Sequence, residues 1–87
     1  MVIHLRLLGF FQMMLGRMYD TVQLEEPATL EDLWNHLVSA HPQLQEEDMS
    51  RIAGMAVNGC FAGRNTWKTV PLSPEDRVDL LSQMGGG

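Results

Sequence analysis

Three consecutive glycines, Gly85-Gly86-Gly87, close the sequence and follow a segment, Val78-Asp79-Leu80-Leu81, that reads as a strand. An arm of this kind offers one reactive group, a free main-chain carboxylate. Glycine lacks Cβ and adopts backbone angles closed to other residues, so a glycine run can enter a narrow channel of a partner enzyme where any side chain would collide. The six residues 82–87 reach roughly 20 Å when fully extended. The same ending also fits a frayed terminus or a cloning scar, because chain ends tolerate change.

Other chemistry-bearing side chains converge less. Cys60 is the single cysteine, which excludes an internal disulfide framework and suits a reducing cytoplasm. No recognisable motif places a His or an acid beside it, so it reads as a structural or incidental thiol. His36 and His41 lie five residues apart, with His4 on another element, a spacing that does not indicate a metal site. The acidic run Glu46-Glu47-Asp48 reads as a solvated loop that can steer a basic partner. Trp34 and the seven methionines fit packing better than cofactor binding. Met13, Met14 and Phe11 are candidates either for an exposed apolar patch or for a loop that caps the core. The glycine tail is no phosphate loop, since it lacks the Lys-Ser/Thr and following helix of that motif.

Composition bounds the setting. Eighty-seven residues, 45% of them hydrophobic, make one domain that buries roughly 60 to 65% of its unfolded surface. Net charge is −5, and the six basic residues Arg6, Arg17, Arg51, Arg64, Lys68 and Arg77 are scattered. Phosphate binding needs a concentrated positive surface, so a nucleic-acid partner is not expected, whereas a basic protein partner is compatible with the charge. His4 and Arg6 interrupt the apolar stretch over residues 1–15, so it does not read as a signal peptide. No run reaches the ~18 apolar residues of a membrane span. The expected compartment is the cytoplasm.

The elements that must position the arm read as strand, strand, helix, strand, strand and a short last strand. In residues 2–8, Ile3, Leu5 and Leu7 alternate with His4 and Arg6, the pattern of a half-buried strand. Gly9 and Gly16 suggest a connecting loop over residues 9–17, and alternation resumes in 18–24. After Pro27, Thr29 with Asp32 three residues on is a weaker relative of the capping box. Leu30, Leu33, Trp34, Leu37 and Val38 then form one helical stripe, which Pro42 stops near Ala40 or His41. Residues 43–51 read as a loop or short helical turn. Met55-Ala56-Val57 leads into Asn58-Gly59, the dipeptide favoured in type I′ hairpin turns, so a strand returns through Cys60 and Phe61. Residues 67–72 read as partly extended and 73–76 as a turn. In the last strand, residues 78–81, Val78 and Leu80 point one way and Asp79 and Leu81 the other. The expected class is α+β, with one main helix packed across a four- to five-stranded sheet. Residues 1–81 form the domain and 82–87 a flexible tail.

These residues carry a resemblance. Leu8-Gly9-Phe10-Phe11 with Leu15-Gly16, Thr29-Leu30-x-x-Leu33, Ala56-Val57-Asn58-Gly59, Pro71-Leu72-Ser73-x-x-Asp76-x-Val78 and Gly86-Gly87 occur in that order across nearly the whole chain. The set resembles the sulfur-carrier family of β-grasp, ubiquitin-like proteins that includes the molybdopterin synthase small subunit and the thiamin-pathway carrier. The length and the Phe10-Phe11 and Leu15-Gly16 segments lean towards the molybdopterin side. Many relatives precede the two glycines with aromatic and proline residues, where this chain has Leu80-Leu81-Ser82-Gln83-Met84-Gly85. The usual Asp-Gly before the last strand is Glu75-Asp76 here. Both departures bear on the pathway rather than on the carrier role.

The resemblance implies a mixed sheet and a Gly87 carboxylate that is adenylated with ATP, then converted to a sulfur-donating thiocarboxylate. It implies three partners: a ubiquitin-activating-type adenylyltransferase, a sulfur donor and an acceptor synthase subunit. Gly85 and Gly86 would thread the partner's channel, while Leu81 and, more weakly, Phe61 would dock it; peripheral core is the plainer role for both. No cofactor is expected to be bound, ATP being used by the activating enzyme. On this reading the chain has no turnover of its own, and in one branch it is the small subunit of a synthase complex. The alternatives are a thiamin thiazole sulfur carrier, a ubiquitin-like modifier joined to target lysines, and a non-catalytic β-grasp interaction domain.

Overall fold

The alternation of the first segment becomes strand β1 (Val2–Leu7), with Ile3, Leu5 and Leu7 buried and Val2, His4 and Arg6 half-buried. The computed structural model describes residues 1–45 and 53–82. Of the expected arm 82–87, Ser82 belongs to the last strand, paired with Ala53, so the sheet runs one residue further than expected; residues 83–87 and the acidic run at 46–48 lie outside the described set.

Residues 9–17, expected as loop, contain a helix, α1 (Phe10–Leu15). The glycines that suggested a loop are its two ends. Gly9 sits at φ 59°, ψ −129°, close to the first central position of a type II′ turn, where glycine is strongly preferred. Phe11 N–H donates to Leu8 O at 3.2 Å and closes that turn. Gly16 ends the helix in the left-handed conformation, its N–H donating to Gln12 O, as helix C-terminal glycines commonly do. The helix turns Phe11 into the core, fully buried, leaves Met14 half-buried and exposes Met13. The exposed patch considered for Phe11, Met13 and Met14 therefore does not include Phe11.

Strand β2 (Tyr19–Gln23) follows. The capping box is complete at the start of α2 (Leu30–Ala40): Thr29 Oγ1 accepts the Asp32 N–H, and Asp32 accepts the Thr29 N–H. The α2 stripe buries Leu30, Leu33, Trp34 and Leu37, with Val38 at its edge. A short 3₁₀ helix at Pro42–Gln45 inserts Leu44 into the same core.

Strands β3 (Ala53–Val57) and β4 (Cys60–Ala62) form the expected hairpin, with Asn58 at φ 49° and Gly59 at φ 87°, the positive pair a type I′ turn needs. Residues 67–72, expected as partly extended, begin instead inside a 3₁₀ helix, Arg64–Thr69. Burial of Trp67 decides this: its ring is fully enclosed, 5.7 Å from Trp34, and its Nε1–H donates to Ala62 O at 3.2 Å. Packing a large aromatic outweighs the local preference of its neighbours. Strand β5 (Arg77–Ser82) completes the sheet.

Sheet order is β2-β1-β5-β3-β4. β1 and β5 run parallel, and the other neighbours run antiparallel. The result is a mixed five-stranded sheet with α2 across one face.

Candidate functional site

Strand β5 delivers the chain to the glycine run, and it is the central strand. On one flank it pairs with β1 from His4↔Arg77 to Leu7↔Leu80, and on the other with β3 from Val57↔Val78 to Ala53↔Ser82. Through Leu80 the strand is hydrogen-bonded on both sides and cannot fray without breaking two ladders. Val78 and Leu80 anchor it from below, both fully buried. Gly85, Gly86 and Gly87 lie outside the described residues.

Period-two alternation then sends Arg77, Asp79 and Leu81 to the sheet face opposite α2. Leu81 is half-buried and stands across β3 from nothing larger than Gly54. Phe61 on β4 pairs with Ala56, which pairs with Asp79, so Phe61 shares that outer face and is 57% exposed. Gly54 and Ala56 leave a low floor on β3 between the two. The two strand spacings from β5 to β4 and the two-residue offset along the strands place Leu81 and Phe61 roughly 12 Å apart. The fold thus brings both expected docking residues to one face.

The same register aligns a row that sequence reading did not single out: Tyr19, Arg6, Asp79, Ala56 and Phe61 across β2, β1, β5, β3 and β4. Arg6 binds Asp79 in a two-pronged ion pair, Nε to Oδ1 at 3.0 Å and Nη2 to Oδ2 at 2.9 Å. The hydrogen bond and charge of Asp79 push the Arg6 guanidinium pKa above its usual value, so its charge is fixed. Tyr19 is 70% exposed at one end of the row and Phe61 at the other. The pair thus stands in the row between Tyr19 and Phe61, with Ala56 between Asp79 and Phe61. Outward parity of Arg6 and Asp79 was visible in each strand, but their juxtaposition needs the parallel β1–β5 pairing.

Beside this row lies a depression of about 300 Å³ lined by Arg6, Asn58, Gly59, Arg77 and Asp79. Asn58 holds its rim: Oδ1 accepts the Arg77 N–H, and Nδ2 donates to Asp76 Oδ1, both at 2.9 Å. Asp76 Oδ2 in turn accepts the Ser73 N–H at 2.7 Å, which sets the turn before β5. The chemistry such a face offers is recognition: apolar contact at Phe61, Leu81 and Tyr19 around fixed charges. Cys60 is exposed at the hairpin end, and its neighbour on β3 is Val57. Among the described residues no group of three or more His, Cys, Asp or Glu side chains is placed to hold a metal, and no helix is long and apolar enough to cross a membrane.

A mixed five-stranded sheet grasping one main helix, with a central last strand that leads to a glycine run, defines a β-grasp protein of the ubiquitin-like class. The chain belongs to the ThiS family, whose model matches residues 6–87 and so takes in both the fold and the glycine run. No curated protein matches it. Among solved structures it is similar to SAMP1 of Haloferax volcanii, with 22% identity, complete coverage of both chains (100% each) and a TM-score of 0.78. It is likewise similar to a molybdopterin converting factor subunit 1 from Pyrococcus furiosus, with 21% identity over 93% of this chain and 95% of that one, TM-score 0.79. A third likeness is to a structure from Helicobacter pylori described as the complex of subunits 1 and 2 of molybdopterin-converting factor, with 18% identity, 100% coverage of each chain and TM-score 0.65. At these identities the structural likenesses establish the fold.

Proposed function

We propose that this protein is a sulfur carrier whose Gly87 carboxylate is activated and converted to a thiocarboxylate. The observation that supports the proposal is the family match itself, which extends through residue 87 and so covers the glycine run.

The need for activation is chemical. A main-chain carboxyl group, with a pKa of about 3.5, is anionic at neutral pH and a poor electrophile. In an adenylyltransferase of the ubiquitin-activating type, a Gly87 carboxylate oxygen attacks the α-phosphate of ATP and pyrophosphate leaves. A sulfide-equivalent nucleophile from a sulfur donor then attacks the acyl carbon, and AMP departs with the oxygen. The thiocarboxylate passes its sulfur to a substrate held by an acceptor synthase subunit, and water restores the oxygen to Gly87. Gly85 and Gly86 enter the active-site channel because they have no side chains to block it. Leu81 and Phe61 dock the partner surface. All bond making occurs in the partners, and the carrier supplies reach and recognition.

A molybdopterin-type acceptor is the favoured destination, supported by the likeness to the subunit 1 structures from Pyrococcus furiosus and Helicobacter pylori. A modifier role is the second reading, favoured by the full-length likeness to SAMP1. It shares the adenylation step, after which a lysine amine rather than sulfide takes the acyl group.

ATP–pyrophosphate exchange with candidate activating enzymes tests the activation step. Removal of Gly86 and Gly87 is expected to abolish exchange without altering thermal unfolding. Undiminished exchange by the shortened chain would overturn the proposal.

A further inference from the structure

The end of β5 is asymmetric. On the β3 side Ser82 keeps a ladder partner, Ala53. On the β1 side the parallel pairing stops at Leu7↔Leu80, with one further bond from Leu8 N–H to Leu80 O at 2.9 Å. Beyond Leu8 the chain turns away through Gly9 into α1, so no strand flanks Ser82 there. Its side chain fills the place: Ser82 Oγ accepts the N–H of Phe10, the first residue of α1, at 3.2 Å.

Gly9 makes this contact possible in two ways. Its φ of 59° and ψ of −129° turn the chain so that the Phe10 N–H faces β5. A Cβ at residue 9 would lie 2.8 Å from Ser82 Oγ, closer than real Cβ contacts come. The hydroxyl therefore occupies the space that a side chain at residue 9 would need. Two segments 72 residues apart in sequence meet at the last described residue before the tail.

We propose that Ser82 is a positioning residue for the tail: its hydroxyl, seated on the Phe10 N–H over Gly9, fixes the point at which the chain leaves the sheet. This rests on the carrier reading of Gly87. With Ser82 held, the five residues 83–87 set a reach of roughly 17 Å. With Ser82 released, the end of β5 keeps only its β3 partner. The partner enzyme must then order additional residues on binding, a penalty that appears in affinity and not in the chemical step.

The test uses the full chain with Ser82→Ala, which deletes the acceptor, and Ser82→Thr, which keeps a hydroxyl on a residue suited to strands. In Ser82→Ala the Phe10 amide should exchange with solvent roughly 2- to 10-fold faster, the range of one lost hydrogen bond. Backbone order measured by NMR relaxation should fall at Leu81, Ser82 and Gln83. The KM for adenylation should rise about 3- to 10-fold with kcat unchanged, as expected when one or two side chains must be ordered on binding. Ser82→Thr should restore all three. Gly9→Ala, which crowds the hydroxyl from the other side, should reproduce the loss of order at Gln83. Unchanged order at Gln83 or unchanged KM in Ser82→Ala would overturn the positioning role, as would a fall in kcat alone. If the wild type accepts no adenylate from any activating enzyme, the carrier reading fails, and the relaxation data still decide whether Ser82 sets the root of the tail.

Discussion

Replacing Phe61 with alanine separates docking from folding. Phe61 lies on β4, an edge strand, and is 57% exposed, whereas its pairing partner Ala56 sits one strand further in. Fully burying a phenylalanine side chain contributes about 1.5 to 3 kcal/mol. Only the part still open to solvent is available to a partner, so the docking contribution is about 0.9 to 1.7 kcal/mol, or roughly 4- to 18-fold in affinity at 1.36 kcal/mol per decade. The assay is the KM of the carrier in the adenylation reaction, read beside thermal unfolding of the same preparations. Phe61→Ala should raise KM within that range, leave kcat unchanged and lower folding stability by less than about 1.5 kcal/mol. Phe61→Leu should recover most of the affinity. A KM for Phe61→Ala within twofold of wild type would refute the claim that the outer face carries the contact.

Two further outcomes test the frame that holds this face. Leu80→Ala in the central strand removes a fully buried side chain, and chemical denaturation should show a loss of about 2 to 5 kcal/mol, against near-neutral effects of changes at exposed Met13. Thr29→Ala removes the Oγ1 that accepts the Asp32 N–H and donates to Asp32 Oδ2, and leaves the bond from the Thr29 N–H to Asp32 in place. It should cost about 0.5 to 2 kcal/mol, and the double variant with Asp32→Ala should cost less than the sum of the singles, because the two residues act on each other.

Much of the frame was legible in local pattern. The 3-and-4 spacing from Leu30 to Leu37 and the Thr29 and Asp32 pair predicted α2, and Asn58-Gly59 predicted the β3–β4 hairpin, because each signal is carried by neighbours in sequence. Two segments were misread for the same reason. Gly9 and Gly16 look like loop punctuation until the six residues between them are seen to bury Phe11. The stretch around Trp67 carries no helical stripe, and the Trp34 ring, distant in sequence, helps to fix its shape together with the nearby Ala62 carbonyl. The site divides similarly. The outward direction of Leu81 follows from alternation with Val78 and Leu80 and could be read from the strand alone. Its sharing of a face with Phe61, the Arg6–Asp79 pair and the Ser82–Phe10 contact all depend on the strand order, which joins residues more than 70 apart in the last two cases. No local period encodes such pairings.

The chemistry at Gly87 is the central claim, and the intact mass of protein purified from its native cells, with no tag at the C-terminus, tests it most directly. A thiocarboxylate replaces one oxygen by sulfur, so a gain of about 16 Da that fragmentation maps to Gly87 is the predicted result. An unmodified mass that persists after incubation with ATP, a sulfur source and candidate activating enzymes would contradict it.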